Sequence, residues 1–172
     1  MQNGPWARLL GGLPPDVADL AYTILAPSFD GSAALASVYS KPLAVSSKQN
    51  VIAGSGASLN WSFDSIGVIY GISQSAPVVA PDQVNDASMF IRNDASNENV
   101  FATEDNPYDL AGIPDSVRGS APFMRIDPTP VHSTNDFSGQ ITFPIAAWAA
   151  NVVVSVNLIG VYFFVPGSQI NT

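Results

Sequence analysis

The apolar residues of this chain follow a two-residue period over most of its length, and this pattern limits the possible folds more than any other feature. From Ser28 onward, apolar residues either alternate with polar ones or form short runs. Gly, Pro, Asn or Asp interrupts the pattern about every 8–12 residues. Because a strand places successive side chains on opposite faces, this spacing predicts an all-β sandwich or barrel.

This pattern predicts strands in the segments 34–40, 43–52, 57–63, 66–72, 87–92, 99–103, 121–126, 140–145 and 152–165. No repeat of about 20–50 residues is visible, which argues against a solenoid or propeller. The length of 172 residues suits one domain. We therefore predict a single eight-stranded jelly-roll sandwich or barrel over residues 31–172, with a short helix before it.

Residues 1–30 are predicted to form an N-terminal arm with a short helix over 14–27. Pro15 suits the entry of a helix, and Asp16 suits its positive first turn. A helical stripe of apolar residues follows, at Val17, Leu20, Ala21, Ile24 and Leu25. Pro27 is expected to end this helix, which either caps its own domain, the interpretation we favour, or docks on a neighbouring subunit. Gly, Pro and Asp break every apolar run here, so we expect no signal peptide.

The 25 residues from Ile141 to Val165 carry no charge and are long enough for a transmembrane helix. Their composition favours strands instead, because β-branched and aromatic residues dominate. Polar and apolar residues also alternate, with Asn151, Ser155 and Asn157 between Val152, Val154, Val156 and Leu158. We predict a strand at 140–145, a turn or short helix around Ala146–Ala150, a bulge or bend at Gly160, and no transmembrane helix.

Composition excludes several classes of function. The net charge is −8, and the six basic residues are scattered, so we expect no direct binding to nucleic acid. The chain has no Cys, which excludes disulfides, thiolate metal sites and Cys nucleophiles. It has one His, which excludes a multi-histidine metal site.

The long segment 93–120 between predicted strands is rich in acidic residues. Asp94, Glu98, Glu104 and Asp105 are weak candidates for calcium ligands, because loop carboxylates and carbonyls can supply the oxygens that Ca²⁺ requires. The Gly and Glu positions of an EF-hand loop are absent, so a solvated acidic loop is the simpler interpretation. We expect no cofactor.

A catalytic site is not indicated. His132 lies near Asp127 and Asp136 in sequence, but no G-x-S-x-G elbow supplies a nucleophile for a triad. Only Glu98 and Glu104 are glutamates, and both lie in the predicted loop. We therefore expect no enzymatic activity and no small-molecule substrate.

The three tryptophans are candidates for a sugar-binding face. Trp61 lies in a predicted strand, Trp148 in an Ala-rich corner and Trp6 in the N-terminal arm. They have apolar neighbours and do not cluster in sequence, so packing in the core is the more frequent fate.

The low charge content is the strongest indication of function. Charged residues make up 12% of the chain, against about 25% in an ordinary domain. The cores of protein interfaces are depleted in Lys, Glu and Asp. A surface largely covered by copies of the same chain fits this composition, as in closed shells built from repeated subunits.

In these features the chain resembles the single jelly-roll capsid proteins of bacteriophages and archaeal viruses. The resemblance rests on the helix at 14–27, the regularly spaced strands, the uncharged strand at 152–165 and the absence of Cys. Among these it resembles the small major capsid proteins of the membrane-containing icosahedral phages of Thermus, the sphaerolipovirus type.

This resemblance implies a structural subunit that is made in the host cytoplasm and resides in the virion. Its partners would be copies of itself and a second, larger capsid protein, standing upright on an internal membrane. A non-catalytic carbohydrate-binding or adhesive β-sandwich module is the alternative, since such modules have similar length and composition. It would carry exposed aromatic residues and a calcium site within residues 94–109.

Overall fold

The computed structural model describes residues 4–29, 34–51, 56–75, 87–115, 122–142 and 152–167. Two α-helices come first, α1 (Pro5–Leu10) and α2 (Pro15–Phe29). Nine strands follow, and they are β1 (Tyr39–Val51), β2 (Ala57–Ser62), β3 (Gly67–Ser75), β4 (Ser88–Asn93), β5 (Asn99–Phe101), β6 (Tyr108–Asp109), β7 (Met124–Val131), β8 (Asp136–Thr142) and β9 (Val152–Phe164). Short 3₁₀ helices span Leu35–Ser37 and Leu110–Gly112.

The strands form two antiparallel sheets, as the alternating pattern predicted. Sheet A has the order β1-β9-β3-β7. Sheet B has the order β2-β8-β4-β5, and β6 also pairs with β4. The apolar residues of both sheets share one core, which includes Trp61 and Phe137 from sheet B and Ile72 and Leu158 from sheet A. The all-β sandwich is therefore confirmed.

Strand β9 is an inner strand of sheet A, and its two faces pack against different parts of the molecule. Its pairing with β1 runs without a break from Tyr39 opposite Phe164 to Val51 opposite Val152. Even-numbered residues such as Val156 and Leu158 face the core between the sheets. Odd-numbered Val161 and Phe163 lie on the outer face of the sheet, in a second cluster with the helices. The predicted alternation in this uncharged strand is confirmed.

The outer face of β9 changes from apolar to polar towards its N-terminal half. Asn157 stands in one row with Ser46 of β1 and Ser73 of β3. The Ser46 hydroxyl donates to Asn157 Oδ1, and Asn157 Nδ2 donates to Ser73 Oγ at 3.2 Å. Neutral side chains thus satisfy one another across three strands without ion pairs.

The second apolar cluster holds the N-terminal helices on the outer face of sheet A. Val17, Ala21 and Leu25, spaced by one helical turn, are fully buried on one side of α2. Each buried Val or Leu side chain contributes roughly 1.5–3 kcal/mol. Arg8 of α1 donates to the carbonyls of Leu35, Ala36 and Val38 at 3.4, 3.2 and 2.9 Å. The helix packs on its own domain, the arrangement favoured from the sequence.

Several sequence-based boundaries were wrong. The segment 34–40 is a strand only from Tyr39, where β1 begins, because Leu35–Ser37 forms a 3₁₀ helix whose carbonyls accept hydrogen bonds from Arg8. Helix α1 was missed, and Pro27 lies inside α2 instead of ending it. Because Pro27 has no N–H to donate to the carbonyl four residues earlier, the last turn of α2 lacks one helical hydrogen bond.

Two strand assignments were also shifted. The strand predicted at 121–126 is β7, which begins at Met124 and continues through Pro128 and Pro130 to Val131. Proline is tolerated there because β7 is an edge strand of sheet A. The strand predicted at 140–145 is β8, Asp136–Thr142. The turn or helix expected around Ala146–Ala150 lies outside the described residues.

For the uncharged stretch from Ile141 to Val165, a transmembrane helix was the alternative to strands. The structure places strand β9 in this stretch. Among the helices within the described ranges, none is both long and apolar enough to cross a bilayer.

Gly160 was expected to mark an irregularity, and the irregularity lies in the neighbouring strand. Strand β9 is continuous through Gly160, whereas the register of β3 shifts between Ile69 and Gly71, directly opposite. A Cβ atom on residue 160 would stand 2.2 Å from the Val68 carbonyl oxygen. Glycine is required here by the close approach of two backbones.

We predict that Gly160→Ala destabilises the protein by about 1–3 kcal/mol, because β3 must move to admit the methyl group. Gly12→Ala is the matched control, since a Cβ at residue 12 meets nothing within 4 Å. Urea unfolding followed by circular dichroism measures both. Equal unfolding midpoints for the two variants would show that the sheet accommodates the methyl group freely.

A charged contact joins α2 to the edge of sheet A. Arg125 of β7 donates to both carboxylate oxygens of Asp16, with Nη2 lying 2.7 Å from Oδ2. The Arg125 guanidinium also stacks 5.6 Å from the centre of the Tyr70 ring. The hydrogen bond from Arg125 holds the pKa of Asp16 below its ordinary value, and the positive charge of Arg125 acts in the same direction.

This pKa direction predicts a pH-dependent contribution to stability. A carboxyl group whose pKa is lowered by folding stabilises the folded state above its unfolded pKa of about 3.9, and the contribution disappears as the pH falls through the folded pKa. We therefore expect Asp16→Asn to lower the Tm at pH 7, and the difference from the wild type to shrink below about pH 4. The control Asp19→Asn, on the same exposed first half of α2, should leave the Tm unchanged at both pH values. A Tm difference for Asp16→Asn that does not depend on pH would contradict the role of the charge.

Candidate functional surfaces

The four weak calcium candidates lie in two different connections. Asp94 and Glu98 are between β4 and β5, and Glu104 and Asp105 are between β5 and β6. Asp94 accepts a hydrogen bond from the Ser138 hydroxyl, and its Oδ1 is 3.8 Å from Arg92 Nε. Within the ranges that the structure describes, no three His, Cys, Asp or Glu side chains are grouped to hold a metal ion. Asp94 is thus engaged by β4 and β8.

His132 lies in the turn between β7 and β8. Its carbonyl accepts the amide of Asn135 at 3.0 Å, which closes the turn, and its side chain is half-buried. Asp127 and Asp136 are exposed on the strands that flank this turn. In the described part of the chain, no hydrogen bond joins the imidazole to a Ser, Thr or Asp side chain, so no triad geometry is present there.

The tryptophans divide among three environments. Trp61 is buried between the sheets, and its Nε1–H donates to the Val156 carbonyl of the opposite sheet at 3.1 Å. Trp6 of α1 packs edge-on against Tyr22 of α2, with 4.7 Å between ring centres. Trp148 lies outside the described residues. The core interpretation of Trp61 is confirmed, and this residue cannot serve as an exposed platform for a sugar.

We predict that Trp61→Phe lowers the free energy of unfolding by about 2–4 kcal/mol, because it deletes a buried hydrogen bond and leaves a cavity between the sheets. Tyr108→Phe, at an aromatic residue that is 39% exposed, is the control and should change stability by less than about 0.5 kcal/mol. Guanidinium unfolding followed by fluorescence or circular dichroism measures both. A neutral Trp61→Phe would argue against a packed core at this position.

The N-terminal helices cover the outer face of one sheet of the sandwich but not that of the other. The helices lie on sheet A, over Val68 and Phe163 among others. The outer face of sheet B has no helix of the described residues on it, and its side chains come from the outward-facing positions of β2, β8 and β4, which are exposed or half-buried. They are Ser58, Asn60, Ser62, Asp136, Ser138, Gln140, Thr142, Ser88, Phe90 and Arg92.

Neutral hydrogen-bonding groups dominate this outer face of sheet B. Two rows cross it, Ser58–Gln140–Phe90 and Asn60–Ser138–Arg92. Asp136 and Arg92 are its charged residues, and Arg92 is engaged by Asp94 and by the Ser138 hydroxyl. Hydroxyl and amide groups can be buried against a partner with a smaller desolvation penalty than ions. The face is therefore suited to contact another protein surface.

Both edge strands of sheet A, β1 and β7, carry residues that discourage strand addition. Strand β1 has Pro42 and two lysines, Lys41 and Lys48, and β7 has two prolines. Strand β2 has neither Lys nor Pro, but the backbone N–H of its Asn60 donates to the Ser47 hydroxyl of β1 at 3.0 Å. This bond closes the sandwich where β1 and β2 meet.

A small groove lies on this side of the sandwich, with a volume of about 290 Å³. Its walls come from β1, from β9 and from the connection after β2, and they are Leu43, Val45, Ser62, Phe63, Asp64, Ser65 and Tyr162. We call it the β1–β2 groove. Apolar side chains and a ring line it, and the carboxylate of Asp64 is exposed beside them.

An aromatic cluster continues the β1–β2 groove along sheet A. The rings of Tyr162 and Phe164 lie 5.7 Å apart, and those of Phe164 and Tyr39 lie 6.0 Å apart. Lys41 Nζ stands 4.8 Å from the centre of the Phe164 ring, and Tyr39 is 46% exposed. No local sequence pattern indicates this aromatic cluster, because its residues come together only through the pairing of β1 with β9.

Comparison of the chain with protein-family models, with curated proteins and with solved structures found no match.

Proposed function

We propose that the sandwich is a jelly roll, and the order of its strands carries this proposal. A jelly roll is a long antiparallel hairpin that is rolled up, so its strands pair first with last, second with second-last, and so on. Here β1 pairs with β9, β2 with β8, β3 with β7, and β4 with β5. The two-residue strand β6 is an addition at the β4 edge.

Rolling the nested hairpin also accounts for the remaining pairs. Strand β9 joins the β1 pair to the β3 pair in sheet A, and β8 joins the β2 pair to the β4 pair in sheet B. The four pairs of the hairpin therefore alternate between the two sheets. A simple meander would instead pair strands that are neighbours in sequence.

We further propose that this chain is a structural subunit of a virus shell, a phage capsid protein of the single jelly-roll type that resides in the virion. The strand order supports the proposal together with the bare, neutral face of sheet B, which offers a contact surface between subunits. The partners are further copies of the chain and a second, larger capsid protein, and the shell encloses a membrane. The subunit itself performs no catalysis.

Density-gradient separation of the source lysate, with mass spectrometry of each fraction, tests the proposal. The chain should travel with large particles that contain lipid or DNA, in many copies per particle, together with a larger protein in constant ratio. If the chain is found only in light fractions, or in a few copies per particle, it is not a shell subunit.

We predict that Gln140→Lys, which places a charge in the middle of the outer face of sheet B, reduces assembly by at least about tenfold at equal protein concentration. Burying an unpaired charge in a contact is costly, and tenfold corresponds to about 1.4 kcal/mol. Light scattering and analytical centrifugation measure assembly, with the partner protein present, and the Tm checks folding.

The matched control for this variant is Thr23→Lys, which adds the same charge at an exposed position of α2. It should assemble like the wild type. If Gln140→Lys also assembles normally, or if both variants fail, the contact does not run through the outer face of sheet B.

A further inference from the structure

The helices cover only part of the outer face of sheet A. They pack over Val161 and Phe163, in the C-terminal half of β9. Two rows of polar side chains cross β1, β9 and β3 in the other half, and none of their residues belongs to the apolar cluster under the helices. We call these rows the sheet A polar face, and they are Lys48–Ser155–Ser75 and Ser46–Asn157–Ser73.

The sheet A polar face matches the outer face of sheet B in width and in chemistry. Each face is three strands wide, with β1, β9 and β3 on one side and β2, β8 and β4 on the other. Hydroxyl and amide side chains dominate both. The two faces point away from each other, because the alternating residues, such as Val156 and Phe137, fill the core between the sheets. One copy of the chain can therefore contact a neighbour on each side.

Each of the two faces carries a charge that its own residues do not neutralise. On sheet B, Arg92 lies 3.8 Å from Asp94, and this leaves the exposed carboxylate of Asp136. The charged residue of the sheet A polar face is Lys48, which is also exposed. Neither Asp136 nor Lys48 takes part in an ion pair within the described part of the chain.

These charges decide which face can meet which. Two copies joined through their sheet B faces would bury Asp136 of both without a free cation. Two copies joined through their sheet A polar faces would bury Lys48 of both without an acid. Burying a charge without a partner is costly. Of the three pairings, the contact of unlike faces alone gives each charge a partner of opposite sign.

We propose that the outer face of sheet B of one copy packs on the sheet A polar face of the next copy, with Asp136 and Lys48 in the same contact. The inference rests on the proposed function, since it names the surface that the sheet B face meets in the shell. A contact of unlike faces leaves one face of each kind free. Copies therefore add head to tail until a ring closes.

Cross-linking between introduced cysteines tests the proposal, because the chain has no Cys of its own. Ser58→Cys places a thiol on the outer face of sheet B, and Ala44→Cys places one on β1 beside the sheet A polar face; both positions are exposed. The variants are assembled with the larger partner protein present and treated with a short bismaleimide. We expect a cross-linked dimer from the mixture of the two variants and none from either variant alone.

The outcomes separate this inference from the proposed function. A dimer from Ser58→Cys alone or from Ala44→Cys alone would show that like faces meet, and would overturn the inference. Assembly without any cross-link would overturn it too, while the chain would remain a shell subunit. A wild-type chain that does not assemble would overturn both. Ser58→Cys mixed with Asp105→Cys, an exposed position outside both faces, is the control and should give no dimer.

Charge reversal tests whether Asp136 and Lys48 share the contact. Asp136→Lys and Lys48→Glu each bring like charges together and should weaken assembly at least about tenfold, whereas the double variant should regain most of the loss. Asp105→Lys reverses an exposed charge outside both faces and should assemble like the wild type. The Tm checks the folding of each variant. A double variant that assembles no better than the single variants would contradict the proposal.

Discussion

The fold depends on the backbone pairing of β9, which lies between β1 and β3 in sheet A. One face of this strand supplies Val156 and Leu158 to the core between the sheets, and the other supplies Val161 and Phe163 to the cluster under the helices. The two hydrophobic cores thus lie on opposite faces of β9, and the neighbouring strand β3 also contributes residues to both. The absence of charge in this strand follows, since most of its positions on both faces are covered.

The covering of sheet A by helices makes the molecule two-sided. Its N-terminal residues bury the apolar part of one outer face of the sandwich, so the remaining broad face belongs to sheet B. On sheet A, hydroxyls and an amide satisfy each other in the row formed by Ser46, Asn157 and Ser73. This explains how a chain with few charged residues can present a polar surface.

The sequence predicted those parts of the fold that rest on local periodicity. Alternation indicated the strands, and the helical stripe of Val17, Ala21 and Leu25 indicated α2. Local periodicity alone does not determine the pairing order, because that order depends on contacts between residues far apart in the chain. The same limit applies to the 3₁₀ helix at Leu35, which Arg8 holds through side-chain hydrogen bonds. No sequence pattern predicted the β1–β2 groove, because Tyr162 and Asp64 are far apart in the chain and come together only in the folded structure.

The nested pairing of the strands has a consequence for how the protein reaches its native state. Tyr39 pairs with Phe164, so the widest hairpin closes a loop of more than one hundred residues. Such high contact order slows folding, and β1 cannot find its partner until the ribosome has released β9. During synthesis, α2 and the outer-face residues of β3 therefore lack β9, the strand that completes the apolar cluster under the helices. We expect the nascent chain to rely on its edge prolines and lysines, or on a chaperone, to avoid aggregation until then.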